Sequence, residues 1–171
     1  MRRAALPLLL LLSAGLAMGQ AGDDAVDPAV LVDDFFRTVD GDTTLENITD
    51  ALNSAGPDAI DPSRIYLLTG QVAAVTYLDP TPDPALFWVE LEIVGGRWEG
   101  LEDVEIFRAF VNVYDPFYAD LIPQRPPRDD SDGLVVAGTE VLISALYLDA
   151  APLDDGGLVP VFQALTVRPL N

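Results

Sequence analysis

The chain has 171 residues, and its 28 acidic residues against 9 basic ones give a formal net charge of -19 at pH 7. It contains no Cys, His or Lys, so every basic residue is Arg. Zinc, copper and haem sites built on thiolate or imidazole ligands are therefore excluded, as are Ser-His-Asp triads and catalytic lysines.

The first 21 residues have the pattern of a secretory signal peptide. Arg2 and Arg3 form a charged start, residues 6–16 are a short apolar stretch, and Gly19 and Ala21 are small residues suited to cleavage. The apolar stretch is shorter than the ~20 residues of a membrane span, which is the alternative interpretation. We therefore predict an exported protein, periplasmic or extracellular, with no membrane insertion after cleavage.

Residues 22–60 are predicted to be a helical segment with two short helices. The first begins at the Asp27-Pro28 cap and ends near Gly41. The second begins at a capping box formed by Thr43 and Glu46 and runs to Gly56. The apolar residues at helical spacing are Val30, Leu31, Phe35 and Val39 in the first helix and Leu45, Ile48 and Leu52 in the second.

Residues 61–171 are predicted to be a β-domain of five strands. The strands span residues 64–78, 85–94, 104–114, 135–148 and 158–168. Gly70 predicts a bulge or bend in the first strand, Gly95-Gly96 a turn after the second, and Pro160 an edge position or later start in the last. A Pro-rich and Asp-rich loop fills residues 115–134. Alternation predicts an inward set of Phe87, Val89, Leu91, Ile93, Phe107, Ala109, Val111, Val113, Val141, Ile143 and Ala145.

This pattern predicts a mainly β fold, a five-stranded Greek-key barrel with the two helices before it. Leu68-Thr69-Gly70-Gln71-Val72 in the first strand and Gly138-Thr139-Glu140-Val141-Leu142-Ile143 in the fourth resemble the OB-fold family of small exported bacterial proteins. Many such domains bind oligonucleotides through a basic face, which this acidic chain lacks. An immunoglobulin-like β-sandwich is the alternative, although it ordinarily has about seven strands.

Carboxylates are the remaining side chains for acid–base catalysis near neutral pH. Glu90 and Glu92 share one strand face about 7 Å apart, near the separation of an inverting glycosidase. Polar residues at alternate strand positions usually face water instead. We therefore predict no enzymatic activity, with a carboxylate-based glycosidase as the last-ranked function.

Calcium is the one metal that this composition permits, because it takes oxygen ligands. Asp40 and Asp42 begin a segment with oxygens at alternate positions, and Asp129, Asp130 and Asp132 form a second cluster. The first segment lacks the Gly and Glu that an EF-hand loop has at its sixth and twelfth positions. The prediction is no metal and no cofactor, with these aspartates as the alternative calcium ligands.

An apolar group on the outward face of the second and third strands is the candidate ligand site. A solvated strand face is normally polar, whereas aromatic residues beside Arg and Asn suit a protein surface, a peptide or a glycan. The alternative, which the sequence favours slightly, is that the N-terminal helices cover this face with Phe35 and Phe36. The candidate ligand residues are Trp88, Arg108, Phe110, Asn112 and Tyr114, and Ile106 is predicted on the same face.

These observations predict an exported, non-catalytic module for binding or assembly. Its partner would be a protein, peptide or glycan. Nucleic acid and anionic membrane surfaces are not expected, because the negative charge repels phosphate. The alternative is a structural envelope or surface protein that self-associates through its strand at residues 158–168.

Overall fold

A computed structural model describes residues 38–78, 87–100, 103–125, 133–154 and 156–170, which all lie in one compact unit, Asp34–Asn171. Within them are six strands and one α-helix. In chain order they are β1 (Val39–Asp40), α1 (Leu45–Ala55), β2 (Ile65–Tyr77), β3 (Val89–Trp98), β4 (Val104–Val113), β5 (Glu140–Pro152) and β6 (Leu158–Pro169). Short 3₁₀ helices span Pro57–Ala59 and Pro116–Tyr118. The described residues include no helix that is long and apolar enough to cross a membrane. The predicted signal peptide and most of the first predicted helix lie outside them.

Five strands close into a ring in the order β2-β3-β4-β6-β5, with β5 pairing back onto β2. All pairs in the ring are antiparallel except β4–β6, which is parallel. This is the Greek-key order of an OB-fold barrel, so the predicted five-stranded barrel is confirmed and the alternative immunoglobulin-like sandwich is wrong. The short β1 adds to β2 in parallel.

Gly70 lies where β2 changes partner. Residues up to Gln71 pair with β5, and those from Gln71 onward pair with β3, with a register shift between Val72 and Ala74. A Cβ atom at Gly70 would lie 2.8 Å from the Val94 carbonyl oxygen. The glycine thus lets two strands approach closely at the bend, as predicted from its position.

The β3–β4 hairpin is longer than the sequence predicted. Gly95 and Gly96 do not turn the chain but continue β3, paired with Phe107 and Ile106. The reversal comes later, where the Glu99 N–H donates to the Asp103 C=O at 2.9 Å. A glycine pair is a hairpin signal only where the strand register ends, which the sequence does not fix.

The barrel interior contains the predicted alternate residues. Val89, Leu91, Ile93, Ala109 and Val111 are fully buried, and the other predicted inward residues belong to the core or pack on it. Residues of the long connection also enter the core: Tyr118, Ile122 and Val135 are buried there. The described residues of the loop predicted over 115–134 therefore contribute side chains to the barrel core.

Helix α1 begins one residue later than predicted. The Thr44 hydroxyl accepts from the Asn47 N–H and the Asn47 side chain accepts from the Thr44 N–H, both at 3.2 Å, in a reciprocal capping box. The predicted Thr43–Glu46 box is wrong, because the Thr43 hydroxyl donates to Asp40. The helix ends at Gly56 as predicted, and its Leu45, Ile48 and Leu52 are buried.

Two other boundaries differ from the prediction. Val39 and Asp40 form β1, so no helix reaches Gly41. β5 begins at Glu140 rather than at 135, after a turn with Gly138 at φ 93°. β6 begins at Leu158 as predicted, and Pro160 lies inside it opposite Ala150 of β5.

Candidate binding face

The outward side chains of β3 and β4 form a continuous strip, which we call the Trp88 face. Cross-strand pairs set its rows, because directly opposite residues point to the same side of a sheet. The rows are Glu90–Asn112, Glu92–Phe110, Val94–Arg108, Gly96–Ile106 and Trp98–Val104, with Trp88 and Tyr114 beyond the first row. The structure therefore brings all five predicted ligand residues onto one face.

An aromatic pair stands at one end of the Trp88 face. The Trp88 and Tyr114 rings lie 5.4 Å apart between centroids at an interplanar angle of 35°. Trp88 is 41% exposed and Tyr114 42%. Asn112 lies beside them and is buried, and its Oδ1 accepts from the indole Nε1 of Trp88 at 3.4 Å. That contact orients the indole while leaving much of both rings open to solvent.

Two carboxylates, those of Glu90 and Glu92, follow the aromatic pair along the face. Glu90 is two residues from Trp88 on the same strand side, about 7 Å along β3. No ion pair joins Glu90 to another described residue, whereas Glu92 pairs with Arg108 at 3.7 Å. That pair is surface-exposed and stabilises the fold by at most ~1 kcal/mol. The middle of the face therefore presents two acids against one Arg.

The far end of the face carries apolar residues, of which Ile106 was predicted from the sequence while Trp98 and Val104 were not. Trp98 is 70% exposed and Ile106 57%, and Val104 lies opposite Trp98. Trp98 was missed because Gly95-Gly96 was interpreted as a turn, which ended the alternation at Val94. Continuing the period-2 pattern through the two glycines would have placed Trp98 on the same side as Trp88.

Helix α1 lies on the inner side of the hairpin and not over the Trp88 face. Its Leu45 faces Gly95, and its Glu46 pairs with Arg97, whose guanidinium lies 5.8 Å above the Phe107 ring. Leu45 and Ile48 belong to the barrel core. Coverage of the face by the second predicted helix is thus wrong, because that helix buries its apolar side in the barrel. Phe35 and Phe36 lie outside the described residues.

Asp40 organises the turn before α1. Its carboxylate accepts from the Thr43 hydroxyl at 2.7 Å, the Thr43 N–H at 2.9 Å, the Asp42 N–H at 3.2 Å and Arg64 at 3.1 Å. The Thr43 hydroxyl is the main cause that lowers the pKa of Asp40, and Arg64 adds to it. Asp40, one of the two alternative calcium ligands in this segment, therefore already accepts hydrogen bonds from four protein donors.

No group of three or more acidic residues in the described ranges is arranged to hold a metal ion. Asp129, Asp130 and Asp132, the second alternative cluster, lie outside those ranges.

No protein-family model matches the chain, and no curated protein matches it. Solved structures do match. The small single-stranded DNA-binding protein of Streptomyces coelicolor is 12% identical over 61% of this chain and 90% of its own, with a TM-score of 0.39. A mitochondrial single-stranded DNA-binding protein of S. cerevisiae is 13% identical over 66% and 98%, with a TM-score of 0.40. A Plasmodium falciparum SSB in complex with single-stranded DNA is 12% identical over 61% and 92%, with a TM-score of 0.38.

Proposed function

We propose that the protein is an exported, non-catalytic binding module that takes up a basic segment of a partner protein on the Trp88 face. The observation that carries this proposal is the half-exposed Trp88–Tyr114 pair next to the Glu90 carboxylate on an outward strand surface. Large exposed aromatic residues are typical of interaction surfaces rather than of solvated strands.

The side chains of this surface suit a cationic group. An Arg or Lys side chain over the Trp88 ring gains a cation–π interaction, and Glu90 lies within reach of the same charge. Asn112 fixes the indole, so little rotamer entropy is lost on binding. The protein's net charge of -19 adds long-range attraction for a basic partner and repulsion for a polyanion.

Neither alternative function has comparable support. For self-association through β6, one edge of the strand is paired with β5 from Leu158 to Pro169, and the other edge pairs with β4 over residues 161–163, so only part of one edge is left for a second copy. For a glycosidase, one of the two candidate carboxylates, Glu92, is the partner of Arg108. A binding function without catalysis therefore remains our proposal.

The test is a titration of a fluorescently labelled synthetic Arg-rich peptide with the protein, followed by the fluorescence anisotropy of the peptide. Trp88→Ala should weaken binding about 30-fold, the equivalent of a hot-spot loss of about 2 kcal/mol. Phe117→Ala is the matched control, because Phe117 is an 81% exposed aromatic outside the strand face. It should bind as the parent does.

Salt and competing ligands separate the alternatives. Affinity for the peptide should fall as ionic strength rises, since the attraction is between exposed charges. An acidic peptide, a single-stranded oligonucleotide and a neutral oligosaccharide should bind weakly or not at all. Tighter binding of the oligonucleotide than of the Arg-rich peptide would show that the proposal is wrong.

Export is the second part of the proposal, and the composition of residues 1–21 supports it. Cleavage at the small residues Gly19 or Ala21 should give a native chain that begins at Gln20 or Gly22. Mass spectrometry of the protein from its native cells checks this directly. A native chain that retains the first residues would contradict it.

A further inference from the structure

In the described residues, the ladder of backbone pairs between β4 and β6 is much shorter than either strand. It consists of Phe110–Val161, Val111–Phe162 and Asn112–Gln163, although β4 begins at Val104 and β6 at Leu158. Where the ladder stops, an open groove of about 700 Å³ separates the two strands. We call it the notch. Its lining includes Thr49 and Asn53 of α1, Ile106 and Arg108 of β4, and Leu158 and Val159 of β6.

The backbone of β4 faces the notch with polar groups. The Glu99 N–H donates to the Asp103 C=O, and the β3–β4 register continues from there without a shift. Because hydrogen-bonded and non-hydrogen-bonded pairs alternate along antiparallel strands, Phe107 bonds to β3. The backbone N–H and C=O groups of Ile106 and Arg108 therefore point away from β3 and toward the notch. These are the two β4 residues that line the notch.

The β6 wall of the notch offers few donors to continue the ladder, which begins at Val161. Alternate residues of β6 face β4, and of these Pro160 has no N–H to donate. The next, Leu158, is already bound by a side chain: its N–H donates to Asn53 Oδ1 at 2.9 Å, and its C=O accepts from Asn53 Nδ2 at 3.4 Å. Asn53 thus stands in for a strand partner on β6, and no ladder pair joins Ile106 or Arg108 of β4 to β6.

We propose that an extended segment of the partner protein enters the notch as an added β-strand, hydrogen-bonded to the main chain of Ile106 and Arg108. This rests on the proposed function, because the occupant is the basic segment inferred there. Strand addition at a free edge obtains affinity from main-chain hydrogen bonds and specificity from alternate side chains.

The walls of the notch define the side chains of that segment. Ile106 and Leu158 offer apolar contacts, and Asp154 at the β5–β6 turn offers a carboxylate. Arg108 is already paired with Glu92. A segment that alternates β-branched and basic residues therefore fits. Its β-branched side chains would contact the apolar wall at Ile106, and its basic side chains would point toward Asp154.

The experiment uses the full chain and a synthetic peptide of about ten residues that alternates Val and Arg, the length of a long strand. Amide hydrogen exchange of Ile106 and Arg108 is measured with and without the peptide. The peptide should slow exchange at both amides. Phe107 and Ala109 are internal controls, because their amides bond to β3 and are protected in either state. The same peptide N-methylated at alternate residues should bind about tenfold or more weakly, since it lacks half of its N–H donors.

The outcomes separate this inference from the proposed function. If the peptide binds in a Trp88-dependent manner but leaves the Ile106 and Arg108 amides unprotected, strand addition is wrong and the proposed function stands. Protection of both amides that Trp88→Ala does not change supports the notch and contradicts the proposed face. Absence of binding overturns both.

Two further results would overturn strand addition by a partner. Slow exchange at both amides in the free protein at every concentration would show that this chain's own backbone fills the notch. Protection that rises with protein concentration, without any peptide, would assign the notch to a second copy of the chain.

Discussion

Two tyrosine hydroxyls attach the long connection between β4 and β5 to the barrel. Tyr77 of β2 donates to the Ile122 C=O at 2.6 Å. Tyr118 donates to the Leu165 C=O at 3.5 Å and accepts from the Val167 N–H at 3.3 Å. Each phenol combines a packed ring with a polar tip that meets a backbone group. The connection therefore depends on individual hydroxyl groups as well as on the buried Ile122.

Tyr77 predicts how stability changes at alkaline pH. Burial raises the pKa of Tyr77 to about 12, above the ordinary value of about 10 for an unfolded chain. The folded protein thus holds this proton more tightly than the unfolded chain does. Its contribution to stability is complete below pH 10 and is lost as pH rises toward 12.

Tyr77→Phe should separate these effects. At neutral pH it should lower the free energy of unfolding by about 0.5–1.5 kcal/mol, the loss of one hydrogen bond. Between pH 10 and pH 12 its stability should fall less steeply than that of the parent. Urea unfolding at a series of pH values measures both. An equal alkaline slope in the two proteins would show that folding does not raise the pKa of Tyr77 above its value in the unfolded chain.

At the scale of the strands, alternation was enough to predict which side chains point inward. Val89, Leu91 and Ile93 are fully buried while Trp88 is half-exposed, as the period-2 pattern requires. Local patterns predicted the end of β3 poorly. Gly96 pairs with Ile106 inside the hairpin, and a Cβ there would lie 3.3 Å from the Val104 side chain, so glycine suits this close approach of the two strands. Such a contact between strands is not visible in the local sequence.

The position of α1 could not be predicted from its own residues. Its amphipathic pattern predicted a helix with one apolar side, but not which surface that side would meet. Contacts between residues distant in sequence fix the position of α1. Glu46 pairs with Arg97, and Asn53 accepts from the N–H of Leu158, which is 105 residues away. These contacts hold α1 against the inner side of the hairpin, so α1 does not cover the Trp88 face.

At the scale of the whole molecule, α1 completes the barrel core. Leu45, Ile48 and Leu52 are buried, and the helix packs against β4 and β6. Burying one such side chain stabilises a protein by about 1.5–3 kcal/mol. Three of them amount to about 5–9 kcal/mol, which is comparable with the total stability of a typical domain. The strand ring and the helix should therefore fold as one cooperative unit.

Removal of residues 22–56 tests this unity, because it deletes β1 and α1 and leaves the five ring strands. The shortened chain should expose the core residues that contact Leu45 and Ile48, bind a hydrophobic dye and aggregate. The control is a chain that begins at residue 38, which keeps β1, α1 and the capping turn at Asp40. It should unfold cooperatively, and it should not increase the fluorescence of the dye. Circular dichroism melting and dye fluorescence on both chains make the comparison. If the chain without residues 22–56 stays soluble, dye-silent and cooperative in its melting, α1 is dispensable for the barrel, and its buried leucines and isoleucine contribute far less than their burial implies.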